Sequence, residues 1–149
     1  MTDRLEFRKI DGWTGNWRWN AATARFSDPL HGTLWKAQQQ EITVGADTLV
    51  IRNHLTYLDG TTRDWTFDGA LDGNPYPITW DDDGSVMTVI AFHQTGPLRG
   101  GDSFFAPDES FAGSEFFILR EDGDNLKVWG SMTVGNDQHT YFEEWDRVA

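Results

Sequence analysis

The segment 11–20 reads Asp-Gly-Trp-Thr-Gly-Asn-Trp-Arg-Trp-Asn and constrains the fold more than any other part of the chain. Its tryptophans, Trp13, Trp17 and Trp19, share one face of an extended strand because side chains alternate along a strand. Gly15 precedes the middle one and lets the chain bend sharply or lie close against another backbone. A large indole with one N–H to satisfy suits the closed base of a β-barrel. The same pattern also fits a tryptophan-rich core strand of a β-sandwich.

The rest of the chain alternates apolar and polar residues in short runs that are separated by Gly, Asp and Asn turns. Asp59-Gly60 is a strong tight-hairpin signal. The links are of hairpin length, whereas parallel strands need crossovers of about a dozen residues. We therefore predict an all-β fold: a single domain, residues 1–149, forming one antiparallel up-and-down β-barrel of about eight to nine strands.

The segment 96–113 breaks this alternation with two prolines and four glycines, yet it carries Phe104, Phe105 and Phe111. Long connections without regular structure tend to be functional or mobile. We predict a long aromatic loop that acts as a lid over the barrel mouth, with the phenylalanines as its apolar underside. A loop packed on the outer wall and a homodimer contact are the alternatives.

Composition excludes several classes of function. The 24 acidic and 12 basic residues give a formal net charge of −12, which disfavours binding to nucleic acid and to anionic membranes. There is no cysteine, so neither a disulfide scaffold nor a thiolate metal site is possible. The N-terminal residues alternate charged with apolar side chains and lack a signal-peptide core, so we expect a cytoplasmic location.

Two features resemble the lipocalin/calycin pattern. Gly15-Asn16-Trp17 on the first strand and Arg147 near the end of the last strand match two positions of that family. The resemblance implies that Arg147 covers Trp17 at the closed end, where a guanidinium stacks favourably on an indole. Residues 67–78, with the turn Asp-Gly-Asn-Pro-Tyr-Pro, also resemble bacterial intracellular lipocalin-like domains. The chain contains no cysteine and we expect no leader, in contrast to secreted lipocalins.

The last strand carries the most suggestive set of ionisable residues. His139, Tyr141 and Glu143 share a face with Trp145 and Arg147, so they point into the barrel if Arg147 belongs to its closed end. A buried carboxyl beside a phenol and an imidazole can exchange protons with a bound molecule. If the face is outward, Glu143 and Arg147 form a surface ion pair of little worth. A β-bulge would also change the facing.

Further candidates come from residues that share a face with apolar side chains. As proton partners or charge stabilisers we add Arg63, Arg120 and His93. We predict that five aromatic residues and one carboxylate line the ligand cavity: Trp65, Phe67, Phe104, Phe105, Phe117 and Glu115. No histidine spacing supports a metal site, and we expect neither a metal nor a cofactor.

These observations favour three functions. The first is a cofactor-independent enzyme that binds a small, largely apolar molecule and acts on it by acid–base chemistry, namely isomerisation, elimination or hydration, or cyclisation. The second is a non-catalytic carrier or sensor of a small hydrophobic ligand, with the arginines pairing a ligand carboxylate. The third is an interaction domain that forms a homodimer through its aromatic loop.

Overall fold

The fold is a closed antiparallel β-barrel. The computed structural model describes residues 11–27, 35–108, 110–134 and 136–148. A 3-10 turn, Asp11–Trp13, precedes the first strand. The strands are β1 (Gly15–Trp19), β2 (Arg25–Phe26), β3 (Trp35–Val44), β4 (Leu49–Tyr57), β5 (Thr62–Gly69), β6 (Pro75–Trp80), β7 (Val86–Gly96), β8 (Arg99–Phe105), β9 (Phe111–Leu119), β10 (Asn125–Val134) and β11 (Asp137–Val148).

Each barrel strand pairs with its neighbour in sequence, which confirms the predicted up-and-down topology. The sheet closes where β1 pairs antiparallel with β11, so the barrel has no free edge there. The two-residue β2 adds to β11 beside Tyr141 and Phe142 rather than to the ring itself. Ten strands therefore form the barrel, instead of the eight to nine predicted.

The additional strand lies within the segment that we predicted to be a lid loop, and that prediction is wrong. Residues 96–113 contain the end of β7, all of β8 and the start of β9, joined by short turns. The glycines that made this segment resemble a loop are required by close packing instead. A Cβ on Gly100 would collide with the ring of Phe117, and one on Gly101 would lie 2.9 Å from the Glu115 carbonyl oxygen.

The interior divides into a packed end and a hollow end. At the packed end, next to the turns 45–48 and 120–124, Trp17 and Phe67 are fully buried. Rings of Phe67 and Phe92 meet edge-on there, with centroids 4.9 Å apart. The opposite end, next to the turns 58–61 and 81–85, is the mouth. No helix in the described ranges has the length and apolarity to cross a membrane.

Candidate functional site: a carboxyl-lined cavity in the barrel

A cavity of about 470 Å³ lies inside the barrel between the packed end and the mouth. Most of its wall is apolar or aromatic, and Trp13 and Phe117 stack at its inner end with centroids 4.7 Å apart. The polar part of the wall lies mainly on three strands. Its ionisable members are Asp102 on β8, Glu115 on β9, and Tyr141 and Glu143 on β11, and Gln38 and Gln40 on β3 and Thr88 on β7 add further polar groups.

Below the cavity, Arg147 seals the closed end. Its guanidinium carbon lies 4.4 Å from the centroid of the Trp17 ring. Arg147 donates from Nε to the Gly123 carbonyl oxygen at 2.7 Å, from Nη1 to that of Thr14 at 2.9 Å, and from Nη2 to that of Gly12.

The neighbours of this guanidinium explain the glycine at position 15. Gly15 has φ of 143°, and a Cβ on it would collide with the Arg147 guanidinium. The Trp17 indole N–H donates to the Trp13 carbonyl oxygen at 2.9 Å. The first-strand motif therefore fixes the base of the cavity through glycine, indole and guanidinium together.

Strand register brings the polar side chains together. Asp102 is directly opposite Glu115 in the β8–β9 pair. Glu115 is opposite Gly130 in β10, which is in turn opposite Tyr141 in β11. Side chains that are directly opposite in antiparallel strands have Cβ atoms about 5 Å apart. The carboxyls of β8 and β9 and the phenol of β11 therefore form one cluster on the cavity wall.

Gly130 provides the space that lets the phenol reach across a strand. A Cβ at this position would collide with the ring and hydroxyl of Tyr141. Tyr141 instead lies over Gly130, and its hydroxyl donates a hydrogen bond to Glu115. On the same strand, the side chain of Trp145 donates to Glu143. The first contact connects β9 and β11 across the intervening strand, and the second lies within β11.

Burial sets the protonation of this cluster. It raises the pKa of Asp102 well above its usual value. Burial also raises the pKa of Glu115, helped by the negative charges of Asp102 and Glu143 and opposed by the hydrogen bond from Tyr141. The pKa of Glu143 rises to about 7, again because of burial. Removing a carboxylate from water disfavours its charged form, so the cluster holds protons that exposed carboxyls would release.

Six of the residues proposed from sequence line this cavity. They are Trp65, Phe104, Glu115, Phe117, Tyr141 and Glu143. His139 lies closer to the mouth on the same face of β11, opposite Met132, but it is outside the cavity wall. Phe67 is fully buried against Phe92 in the packed floor and does not reach the cavity.

The arginines proposed as charge stabilisers are not in the cavity, and that placement was wrong. By alternation Arg63 is on the inward-facing side of its strand, but it lies at the mouth. There its Nε donates to Asp82 at 2.8 Å, and its guanidinium carbon lies 3.8 Å from the Trp80 ring centroid. Arg120 lies in the turn at the closed end and donates to Asp122 at 2.8 Å. Acidic turn residues hold both guanidinium groups outside the lumen.

His93 and Phe105 also fail to line the cavity, because both face outward. His93 is exposed and lies opposite Gly101 on the outer face. Phe105 follows a register shift in the β8–β9 pair, and its ring packs on exposed Phe111 with centroids 6.2 Å apart. Alternation along β8 places Phe105 on the opposite face from Phe104, which the interpretation of this segment as a loop concealed.

Sequence reasoning missed Asp102, the most buried carboxyl of the cluster. Its relative exposure is 3%, and its Oδ1 has no hydrogen-bond partner among the described residues. It was missed because its segment was interpreted as a loop. Once 99–105 is interpreted as a strand, alternation places Gly100, Asp102 and Phe104 on one face, and Phe104 was already a candidate for the cavity.

The fold and the cavity together define a closed up-and-down β-barrel with an internal cavity. A scan against protein-family models finds no match, and a search of curated proteins finds none either. Among solved structures, lobster apocrustacyanin A1 is similar, with a TM-score of 0.46 and 16% sequence identity. The similarity covers 93% of this chain and 62% of that one, so this chain matches less than two thirds of its length.

Proposed function

We propose that the protein binds a small, largely apolar molecule inside the barrel. The cavity carries this proposal: about 470 Å³ of space, walled mainly by apolar side chains, with a few convergent polar groups on one side. Sites for small molecules typically have volumes of a few hundred to about 1,000 Å³ and this mixture of surfaces. The apolar wall supplies affinity, and the carboxyls and the phenol orient the ligand.

Binding is tested with prodan, a neutral dye whose emission shifts in apolar surroundings. We expect saturable binding to the wild type. Met132→Trp fills the cavity near the mouth and should weaken that binding at least tenfold. Thr133→Trp is the matched control, because Thr133 is the adjacent residue on β10 and is exposed outside the barrel. Equal binding by both variants, or no binding by the wild type, would contradict the proposal.

A second proposal is that the bound molecule is also transformed by acid–base chemistry. Glu143 favours it, because a carboxyl with a pKa of about 7 in an apolar cavity is suited to take a proton at neutral pH. Burial and the charges of Glu115 and Glu143 raise the pKa of Tyr141, so its phenol keeps its proton and holds Glu115 in place by a hydrogen bond. Isomerisation, elimination or hydration, and cyclisation need only such positioned groups and a dry site.

Deuterium uptake separates this enzyme from a carrier. With 1-tetralone in D₂O, an enzyme with Glu143 as base should speed exchange at the carbon next to the carbonyl, with a rate that rises as pH increases through about 7. Glu143→Gln should abolish the acceleration while prodan binding stays unchanged and the melting temperature is not lowered. Bound ketone without accelerated exchange would leave the protein as a carrier or sensor.

A further inference from the structure

The charges in the cavity are unbalanced. Its wall contains the carboxyls of Asp102, Glu115 and Glu143, whereas no Lys, Arg or His of the described ranges lines it. The arginines that sequence suggested for the lumen are held by aspartates outside it. A ligand that enters therefore meets three carboxyl groups and no cationic side chain in the wall. The donors in the wall include the amides of Gln38 and Gln40 and the unpartnered indole N–H of Trp13.

One of these carboxyls also has an unused acceptor. Glu115 accepts from Tyr141, and Glu143 accepts from Trp145. Asp102 lines the cavity and has a relative exposure of only 3%. Its Oδ1 has no hydrogen-bond partner in the described structure. A buried polar atom without a partner loses its hydration and gains nothing in return. The missing donor is therefore expected from the ligand.

We propose that the ligand carries a protonated amine, held by Asp102 and Glu115 at the polar wall while its apolar body fills the rest of the cavity. This inference rests on the proposed ligand binding and specifies its chemistry. An ammonium group has three N–H donors, which matches a site rich in acceptors. A ligand carboxylate would instead find no cationic side chain in the wall to pair with. No group of three or more His, Asp or Glu side chains in the described structure is placed to hold a metal ion.

The electrostatics of the cluster agree with this assignment. The pKa of Asp102 and that of Glu115 are raised because burial penalises their charged forms and no cation in the wall offsets it. An ammonium beside them supplies that charge and lowers both pKa values. Amine binding should therefore release protons from the cluster. The titratable groups of the wall are Asp102, Glu115, Glu143 and Tyr141, and His139 lies on the mouth side of them on β11.

The test compares three ligands of one shape: 1-adamantanemethylamine, 1-adamantanemethanol and 1-adamantanecarboxylate. Isothermal titration at pH 7.5 should give at least tenfold tighter binding for the amine than for the alcohol, and the weakest binding for the carboxylate. Titration in two buffers of different ionisation enthalpy should show proton release with the amine and none with the alcohol. Asp102→Asn and Glu115→Gln should each weaken amine binding at least tenfold and change alcohol binding less than threefold.

Prodan binding to the same samples separates the possible failures and shows that the variants are folded. If the amine binds no tighter than the alcohol while prodan binds, the inference about the amine is overturned and the binding function stands. If neither the adamantanes nor prodan bind to the wild type, both are overturned. An amine preference that survives in both variants would also overturn the assignment to Asp102 and Glu115.

Discussion

The closed end and the cavity of this barrel both contain polar groups, but they differ in whether those groups have hydrogen-bond partners. At the closed end, three N–H groups of Arg147 donate to three backbone carbonyls, and the indole N–H of Trp17 has an acceptor as well. In the cavity, Oδ1 of Asp102 and Nε1 of Trp13 have no partner in the described structure. The first region is complete without a ligand, and the second is not.

This difference separates stability from function within one fold. Satisfied buried polar groups make a structure rigid and specific, whereas unsatisfied ones cost free energy. A protein retains such a cost where the groups serve another purpose, and active and binding sites commonly contain them. Variants at the two regions should therefore differ in which property they change, and the predictions below test that expectation.

The largest expected effect on stability is at the closed end. Arg147→Ala should lower the free energy of unfolding by about 3 kcal/mol, because it removes three hydrogen bonds to backbone carbonyls and the stack on buried Trp17. Arg63→Ala is the matched control: it removes a guanidinium that also stacks on an indole, but at the partly exposed mouth, and should have a much smaller effect. Urea denaturation measures both. Equal losses would remove the distinction between the two ends.

The next effect is a pH dependence that comes from the cavity. Because burial raises the pKa of Glu143 from 4.5 to about 7, the folded state keeps a proton that the unfolded state releases. This carboxyl therefore favours folding fully below about pH 4.5, and its contribution is lost as pH rises through about 7. The loss is at most about 3 kcal/mol, at about 1.4 kcal/mol per pH unit.

Glu143→Gln should make the unfolding free energy less dependent on pH between 5 and 8 and should stabilise the protein at pH 8. Urea denaturation at half-unit steps of pH measures the slope. The buried carboxyls of Asp102 and Glu115 remain in the variant and shift in the same direction, so part of the slope should persist. Arg63→Ala should retain the wild-type slope. An unchanged slope in Glu143→Gln would contradict the burial of this carboxyl.

A smaller effect is expected at the glycine that accommodates the phenol. Gly130→Ala should cost about 2 kcal/mol, because the new methyl group collides with Tyr141 and forces it away from Glu115. It should also weaken binding of 1-adamantanemethylamine. Ser131→Ala, next on the strand and on its other face, is the control and should change neither property. Thermal melting with calorimetric titration checks both, and a variant of wild-type stability would mean that the phenol does not lie over Gly130.

The smallest effect is expected on the outer wall. Phe105→Ser should cost less than about 1 kcal/mol and leave prodan binding within twofold of the wild type, because this ring packs on exposed Phe111 outside the barrel. Phe104→Ser, one residue earlier, removes cavity wall and should weaken prodan binding several-fold. Equal weakening of prodan binding by both variants would support the lid loop that the sequence suggested.

Sequence patterns predicted the features that depend on local alternation. Hairpin signals predicted the antiparallel barrel, and Trp145 and Arg147 indicated which face of β11 carries Tyr141 and Glu143. Features set by tertiary packing were not predictable in this way. Residues 99–105 look like a loop until the ring of Phe117 explains Gly100.

The arginines illustrate the same limit at the ends of strands. The alternation of β5 places Arg63 on the inward-facing side, yet the ion pair with Asp82 holds its guanidinium at the mouth. A long flexible side chain near a strand end can reach a turn on a neighbouring strand, and pattern analysis contains no information about that turn's position. Alternation predicts the facing of a residue well in mid-strand and poorly at its ends.

The most direct test of ligand binding in the lumen is an NMR titration of the indole N–H signals with prodan. Tryptophans that line the cavity and tryptophans that do not are both present in this chain. The cavity group is Trp13, Trp35, Trp65 and Trp145, and the outermost of the others is Trp129, which is 40% exposed. We predict that the signals of the cavity group shift saturably while that of Trp129 stays in place. A shift of Trp129 alone, or no shift at all, would contradict a ligand site inside the barrel.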